Sequence, residues 1–191
     1  MLTNVRQALP PVGFFLAACL LLANCAKQKP LEVLGEVPQF QLTDQQGRPF
    51  TRSALDGHVW IADFIFTTCQ ASCPRMSARM RALQKSTDPT IKFVSFTVDP
   101  DNDTAPILEA YAQRFEAEAA RWSFLTGDKT TLGTLDRDAF KLGSIGADMD
   151  HSTRFVLIDK KERIRGYYGI SDDDSMAKLS RDAARLEKEP A

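Results

Sequence analysis

Cys69 and Cys73 stand four residues apart at the end of an apolar run, residues 59–66, in VWIADFIFTTCQASCP, and Pro74 follows at once. A buried strand that ends in a thiol pair and runs into a helix opened by proline sets both sulfurs at a helix N-terminus. There the unpaired N–H groups and the positive end of the helix dipole favour thiolate over thiol. Thiolates serve soft-metal binding and disulfide exchange alike. The spacing admits both, because sulfurs about one helical turn apart can share one ion or close into a disulfide. The chain has only two histidines. His151, in MDHSTRFVLID, immediately precedes a predicted strand. It is either an exposed loop histidine or a third ligand: two thiolates and one imidazole suit Cu(I), or Zn²⁺ with a fourth ligand. His58 follows Gly57 at the end of the central strand away from the cysteines, which predicts a surface residue. Asp63 lies inside that strand, six residues before Cys69. A carboxyl buried there must be partnered, neutral or near water. The residue by itself reads as a hydrogen-bonded anchor for a neighbouring loop.

The elements that position these residues follow from periodicity. Phe40-Gln41-Leu42 alternates as a short strand, Asp44-Gln45-Gln46-Gly47 turns, and a second short strand is predicted over 48–51. The near-continuous apolar run 59–66 predicts a central strand covered on both faces. Met76, Met80 and Leu83 recur at helical spacing in 74–85. Residues 91–98 (IKFVSFTV) read as a strand closed by Asp99-Pro100, and a helix over 105–115 takes Pro106 in its first turn. A strand over 122–125, a helix over 129–142 and a loop of small residues over 143–149 come next. Strands over 153–158 and 164–168 then form a hairpin, followed by a last helix over 175–187. Strands alternating with helices before a terminal hairpin and helix predict an α/β sandwich with a mixed central sheet.

The chain has 191 residues, a net charge of −1 and four cysteines. That length suits one domain with a sizeable core, and the lack of a basic cluster gives no footprint for nucleic acid. Arg6 precedes the apolar run VGFFLAACLLLA, residues 12–23. The run is shorter than the ~20 residues of a membrane-spanning helix and matches a signal-peptide core. Leu22-Ala23-Asn24-Cys25 resembles a bacterial lipoprotein cleavage box, which makes Cys25 the expected lipidated residue. Leu16-Ala17-Ala18-Cys19 fits the box better but leaves too short a core, and an uncleaved anchor helix is the alternative. Residues 1–25 are thus expected to be a leader and anchor, 26–36 a polar tether, and 37–189 the domain. The domain then faces an oxidising compartment with Cys69 and Cys73 as its remaining thiols.

Asp63 resembles the buried acid of thioredoxins, which sits at the same offset and helps deprotonate the deeper cysteine. Thioredoxin-type dithiol oxidoreductases carry a cis-proline facing the thiols, but here no proline lies between Pro106 and Pro190 and His151 occupies the corresponding place. The Pro-x-x-x-Thr-x-x-Cys signature of peroxiredoxins is absent before either cysteine. Several segments resemble the Sco/SenC family of membrane-anchored, thioredoxin-fold copper proteins. They are Phe40-Gln41-Leu42-Thr43-Asp44, Phe66-Thr67-Thr68-Cys69-Gln70-Ala71-Ser72-Cys73-Pro74, and Ser95-Phe96-Thr97-Val98-Asp99-Pro100 with Asp103-Thr104. Leu125-Thr126-Gly127, Asp150-His151-Ser152 and Leu157-Ile158-Asp159 complete the set in the family's order, over about residues 37–185. Gln70-Ala71-Ser72 departs from the commoner Pro-Asp-x, and Asp63 stands where many relatives carry an uncharged residue.

The resemblance implies a thioredoxin-like three-layer sandwich and a copper metallochaperone. Cys69 and Cys73 would be thiolate ligands and His151 the imidazole ligand of Cu(I), with Cu(II) a further possibility. The implied acceptor is the copper-bearing subunit of a cytochrome c oxidase or another copper protein. The implied place is the bacterial cell envelope, with the domain facing the periplasm. A second reading uses the same thiols as a thiol–disulfide reductant of acceptor-protein cysteines. In it Cys69 attacks, Cys73 resolves with the help of Asp63, and a Cys69–Cys73 disulfide forms.

Overall fold

The computed structural model describes residues 29–143 and 153–191. The strands are β1 (Gly35–Glu36), which was not expected, and the expected β2 (Gln41–Asp44), β3 (Pro49–Thr51), β4 (Trp60–Ile65), β5 (Lys92–Thr97), β6 (Trp122–Thr126), β7 (Arg154–Ile158) and β8 (Arg163–Gly169). The helices are α1 (Ser72–Ser86), α2 (Ala105–Arg114), α3 (Lys129–Thr134) and α4 (Asp173–Leu186). Among the described residues the strands make one sheet in the order β1-β8-β7-β4-β5-β6-β2-β3. Strands β4, β5 and β6 run parallel, and the pairs outside them are antiparallel.

Every residue of β4 is buried because both sheet faces are covered. Its side chains alternate between two cores. Ile61 and Ile65 join Met76 and Met80 of α1, Leu108 and Tyr111 of α2, and Leu179 and Ala183 of α4. Trp60, Ala62 and Phe64 face the other way, onto Leu55, Leu132, Leu135 and Phe140. There Phe64 stacks on Phe96 with centroids 5.0 Å apart and meets the edge of Phe140 at 5.4 Å. The result is three layers, with the sheet in the middle. Both cores lie within the compact unit Leu31–Ala191, which therefore carries what a separately folding domain needs. Among the described residues no helix is long and apolar enough to cross a membrane.

Three local readings need correction. Residues 26–36 were expected to be a tether, yet Gly35 pairs with Ile164, the Leu34 N–H donates to the Ile164 carbonyl at 2.8 Å, and buried Arg165 donates to the Leu31 carbonyl at 2.7 Å. Main-chain pairing at a sheet edge leaves no hydrophobic signature, so the sequence could not show it. The helix expected over 129–142 is α3 alone, followed by a π turn over Leu135–Ala139. Lys141 and Gly143 then adopt φ of 55° and 67°, left-handed values that end a helix. Helix α1 starts at Ser72 rather than at Pro74, which sits inside its first turn where a missing N–H costs nothing. Residues 1–28, with Cys19 and Cys25, and residues 144–152, with His151, lie outside the described residues.

Candidate metal and dithiol site

The site is built where β4 ends. Its last carbonyl, on Ile65, still accepts the Val98 N–H at 2.8 Å, and the chain then turns so that the Cys69 N–H donates to the Phe66 carbonyl at 3.3 Å. The turn is fixed by a residue to which sequence reasoning gave no role. Asp103, with no exposed surface, accepts from the Thr67 N–H at 3.2 Å, from Thr67 Oγ1 at 2.5 Å and from Thr97 Oγ1 at 2.5 Å. One carboxylate thus ties the cysteine loop to the end of β5. The only signal in the sequence was Asp103-Thr104 within the family pattern, since nothing in the spacing couples Asp103 to Thr67.

Helix α1 opens with Ala71 at its N-cap, which offers no capping side chain, and no acidic residue stands in its first turn. Cys69 fills that role. Its Sγ accepts the Cys73 N–H at 3.4 Å and lies 3.9 Å from Ser72 Oγ. A helix N–H therefore points at this sulfur, as the sequence predicts. Cys69 is 9% exposed and lines a cleft of about 550 Å³ with Thr67, Thr68, Gln70, Pro74 and Arg114. No disulfide joins the two cysteines in this structure.

Cys73 differs. It is fully buried against Met76 and the first core, and burial pushes its thiol well above the ordinary range, more than a hydrogen bond with the Phe66 backbone offsets. Neighbouring Cys69 and Asp63 push it the same way. The expectation that the helix start makes both sulfurs thiolates is therefore corrected for Cys73: dehydration outweighs the dipole.

Asp63 shares the β4 face of Ile61 and Ile65, towards the core that holds Cys73. It is fully buried, and its Oδ1 accepts from Ser95 Oγ at 2.6 Å, while that hydroxyl accepts from Trp122 Nε1 at 2.9 Å. Its Oδ2 has no partner among the described residues. Burial raises the carboxyl to about 7 despite the Ser95 bond. Asp63 is thus both hydrogen-bonded and, near neutrality, able to exchange a proton. His58 sits before β4, its N–H bonded to the Leu55 carbonyl, away from the thiols. Among the described residues no three metal-ligating side chains converge.

The fold has counterparts. The chain is 38% identical over 112 residues to the SCO1 protein homolog of Bacillus subtilis (strain 168), an alignment covering 56% of this chain and 58% of that relative. It superposes on a SCO1/SenC family lipoprotein from Bacillus anthracis str. Ames with a TM-score of 0.73 at 35% identity, covering 84% of this chain and 99% of the other. A third match is BsSco, a member of the Sco family of cytochrome c oxidase assembly proteins in which a disulfide switch was identified. It gives a TM-score of 0.70 at 28% identity, covering 82% and 98% of the two chains. The thioredoxin-like α/β fold with a mixed sheet is thereby met. The SCO1/SenC family model matches residues 29–186, a span that holds the whole sheet and both thiols, and this chain belongs to that family.

Proposed function

We propose that the protein is a copper metallochaperone that takes Cu(I) on Cys69, Cys73 and His151 and passes it to the copper centre of a cytochrome c oxidase. The observation that carries this reading is the unequal pair of thiols at one helix start. Cys69 lines an open cleft and Cys73 lies directly behind it, so a soft ion captured outside is held by a second, dry sulfur. Two thiols suit Cu(I) in softness, and binding must displace the proton that burial holds on Cys73. Cargo borne by ligands on separate segments can leave by ligand exchange with an acceptor, without release of a free ion. Membership of the same family as BsSco supports the oxidase as destination. Lipidation at Cys25 would hold the domain at the membrane, facing the periplasm, and the B. anthracis lipoprotein supports that placement.

The test is a competition titration of reduced residues 29–191 with Cu(I), comparing the unaltered domain with His151→Ala. A tight one-to-one complex lost in the variant is expected, and binding indifferent to His151 overturns the three-ligand reading.

A second reading rests on Asp63 and on the disulfide switch of BsSco. The Cys69 thiolate attacks an acceptor disulfide and expels one acceptor thiolate. Cys73, its proton passing to Asp63, then attacks the mixed disulfide, so two electrons leave the dithiol and Cys69–Cys73 closes. Asp63→Asn is expected to slow the second step more than it weakens copper binding, and equal rates reject Asp63 as the base.

A further inference from the structure

The cleft beside Cys69 carries a charge that neither reading uses. Arg114, at the end of α2, lines it and is exposed. Among the described residues its guanidinium sits 5.4 Å from the ring centroid of Phe115 and makes no salt bridge. Arg75, also exposed, stands next to Pro74 in the first turn of α1. A cation there faces the positive end of the helix, the reverse of the favourable placement, and no acidic side chain in that turn offsets it. The carboxylates after β5 have partners of their own among the described residues, and none of them lines the cleft. Asp99 accepts from Asn102 Nδ2 at 2.8 Å, Asp101 pairs with Lys129 at 2.7 Å, and Asp103 is held by Thr67 and Thr97. Among the described residues that line the cleft, Arg114 is the one charged side chain.

We infer that Arg114 is a specificity-determining residue that receives a carboxylate of an acidic peptide segment flanking the acceptor's cysteine as that cysteine meets Cys69. This rests on the reading of Cys69 as the outward, reacting thiol. Guanidinium forks match carboxylates in geometry as well as charge. A rim cation of this kind acts chiefly on encounter, and its effect is screened by salt.

The test uses the full chain in neutral detergent micelles, with Cys73→Ser to hold the mixed disulfide at Cys69. The probes are homodisulfides of end-blocked Glu-Cys-Glu and Gln-Cys-Gln, and the adduct at Cys69 is quantified by peptide mass spectrometry. In each reaction the Cys69 thiolate displaces one peptide thiolate from the probe, so atoms and electrons balance. Arg114→Glu is expected to slow the acidic probe by about fivefold or more, to leave the neutral probe unchanged within about twofold, and to lose this contrast in about 0.5 M salt. Arg114→Lys should retain part of the preference. An equal slowing of both probes, or of neither, overturns the proposal. Failure of the unaltered Cys69 to react with either probe overturns the outward-thiol reading itself, and this proposal with it.

Discussion

Asp63 makes the sharpest demand on the physics, because a carboxyl with no exposed surface, and with one oxygen that has no partner among the described residues, must be costly to ionise. Burial moves its pKa from an ordinary 3.8 to about 7. Between those values the native state holds a proton that the unfolded chain has lost, so stability falls as pH rises through this window. Below about 4 both states are protonated and the cost vanishes; above about 7 both are ionised and it is complete. At ~1.4 kcal/mol per tenfold in proton affinity, the cost is about 1.7 kcal/mol at pH 5 and about 4 kcal/mol at pH 8. Asp63→Asn keeps an acceptor for Ser95 and removes the charge. Whatever constant the new amide adds, the stability difference between parent and variant should shift by about 2.5 kcal/mol between about pH 5 and about pH 8, in the variant's favour. Urea unfolding of residues 29–191 across that range measures it. Trp60 and Trp122, both fully buried, serve as fluorescent reporters. Glu162 is also raised to about 7 by burial, despite a bond from Trp60 Nε1, and tilts both proteins equally. Parallel pH profiles for parent and variant would refute the argument that Asp63 is stored as a neutral acid.

Asp103→Ala should cost about 3 kcal/mol by stranding the Thr67 N–H and two hydroxyls, and should weaken Cu(I) binding by loosening the cysteine loop. Urea midpoints and copper titration check both effects, and unchanged copper affinity would reject Asp103 as the positioner of the loop. Arg165→Met breaks a buried pair with Asp159 at 2.5 Å and frees the Leu31 carbonyl, with an expected loss of about 3 kcal/mol in urea unfolding. Iodoacetamide should modify Cys69 at least about tenfold faster than Cys73, read by peptide mass spectrometry, because only Cys69 reaches the cleft. Equal labelling would show that Cys73 is not sealed.

Much of this protein was legible in its sequence where the deciding forces are local. The run around Trp60 and Phe64 had to be a strand covered on both faces. The spacing of Met76, Met80 and Leu83 had to be a helix with one buried side. Cys69 and Cys73 at the junction announced soft-metal or disulfide chemistry, and the surrounding motifs pointed to the family later matched over residues 29–186. Such signals survive because side-chain periodicity and turn chemistry act over a few residues. What the sequence could not express are relations across long separations. The pairing of Gly35 with Ile164 uses only main-chain groups, and the clasp of Asp103 on Thr67 joins residues 36 apart. The same holds for the two cysteines' unlike characters. Both sit at one helix start, and the tertiary packing alone leaves Cys69 at an open cleft while it closes Met76 and the first core over Cys73. The helix dipole that the sequence reveals is a local field, whereas dehydration depends on everything that folds around the sulfur, and for Cys73 dehydration is the larger force.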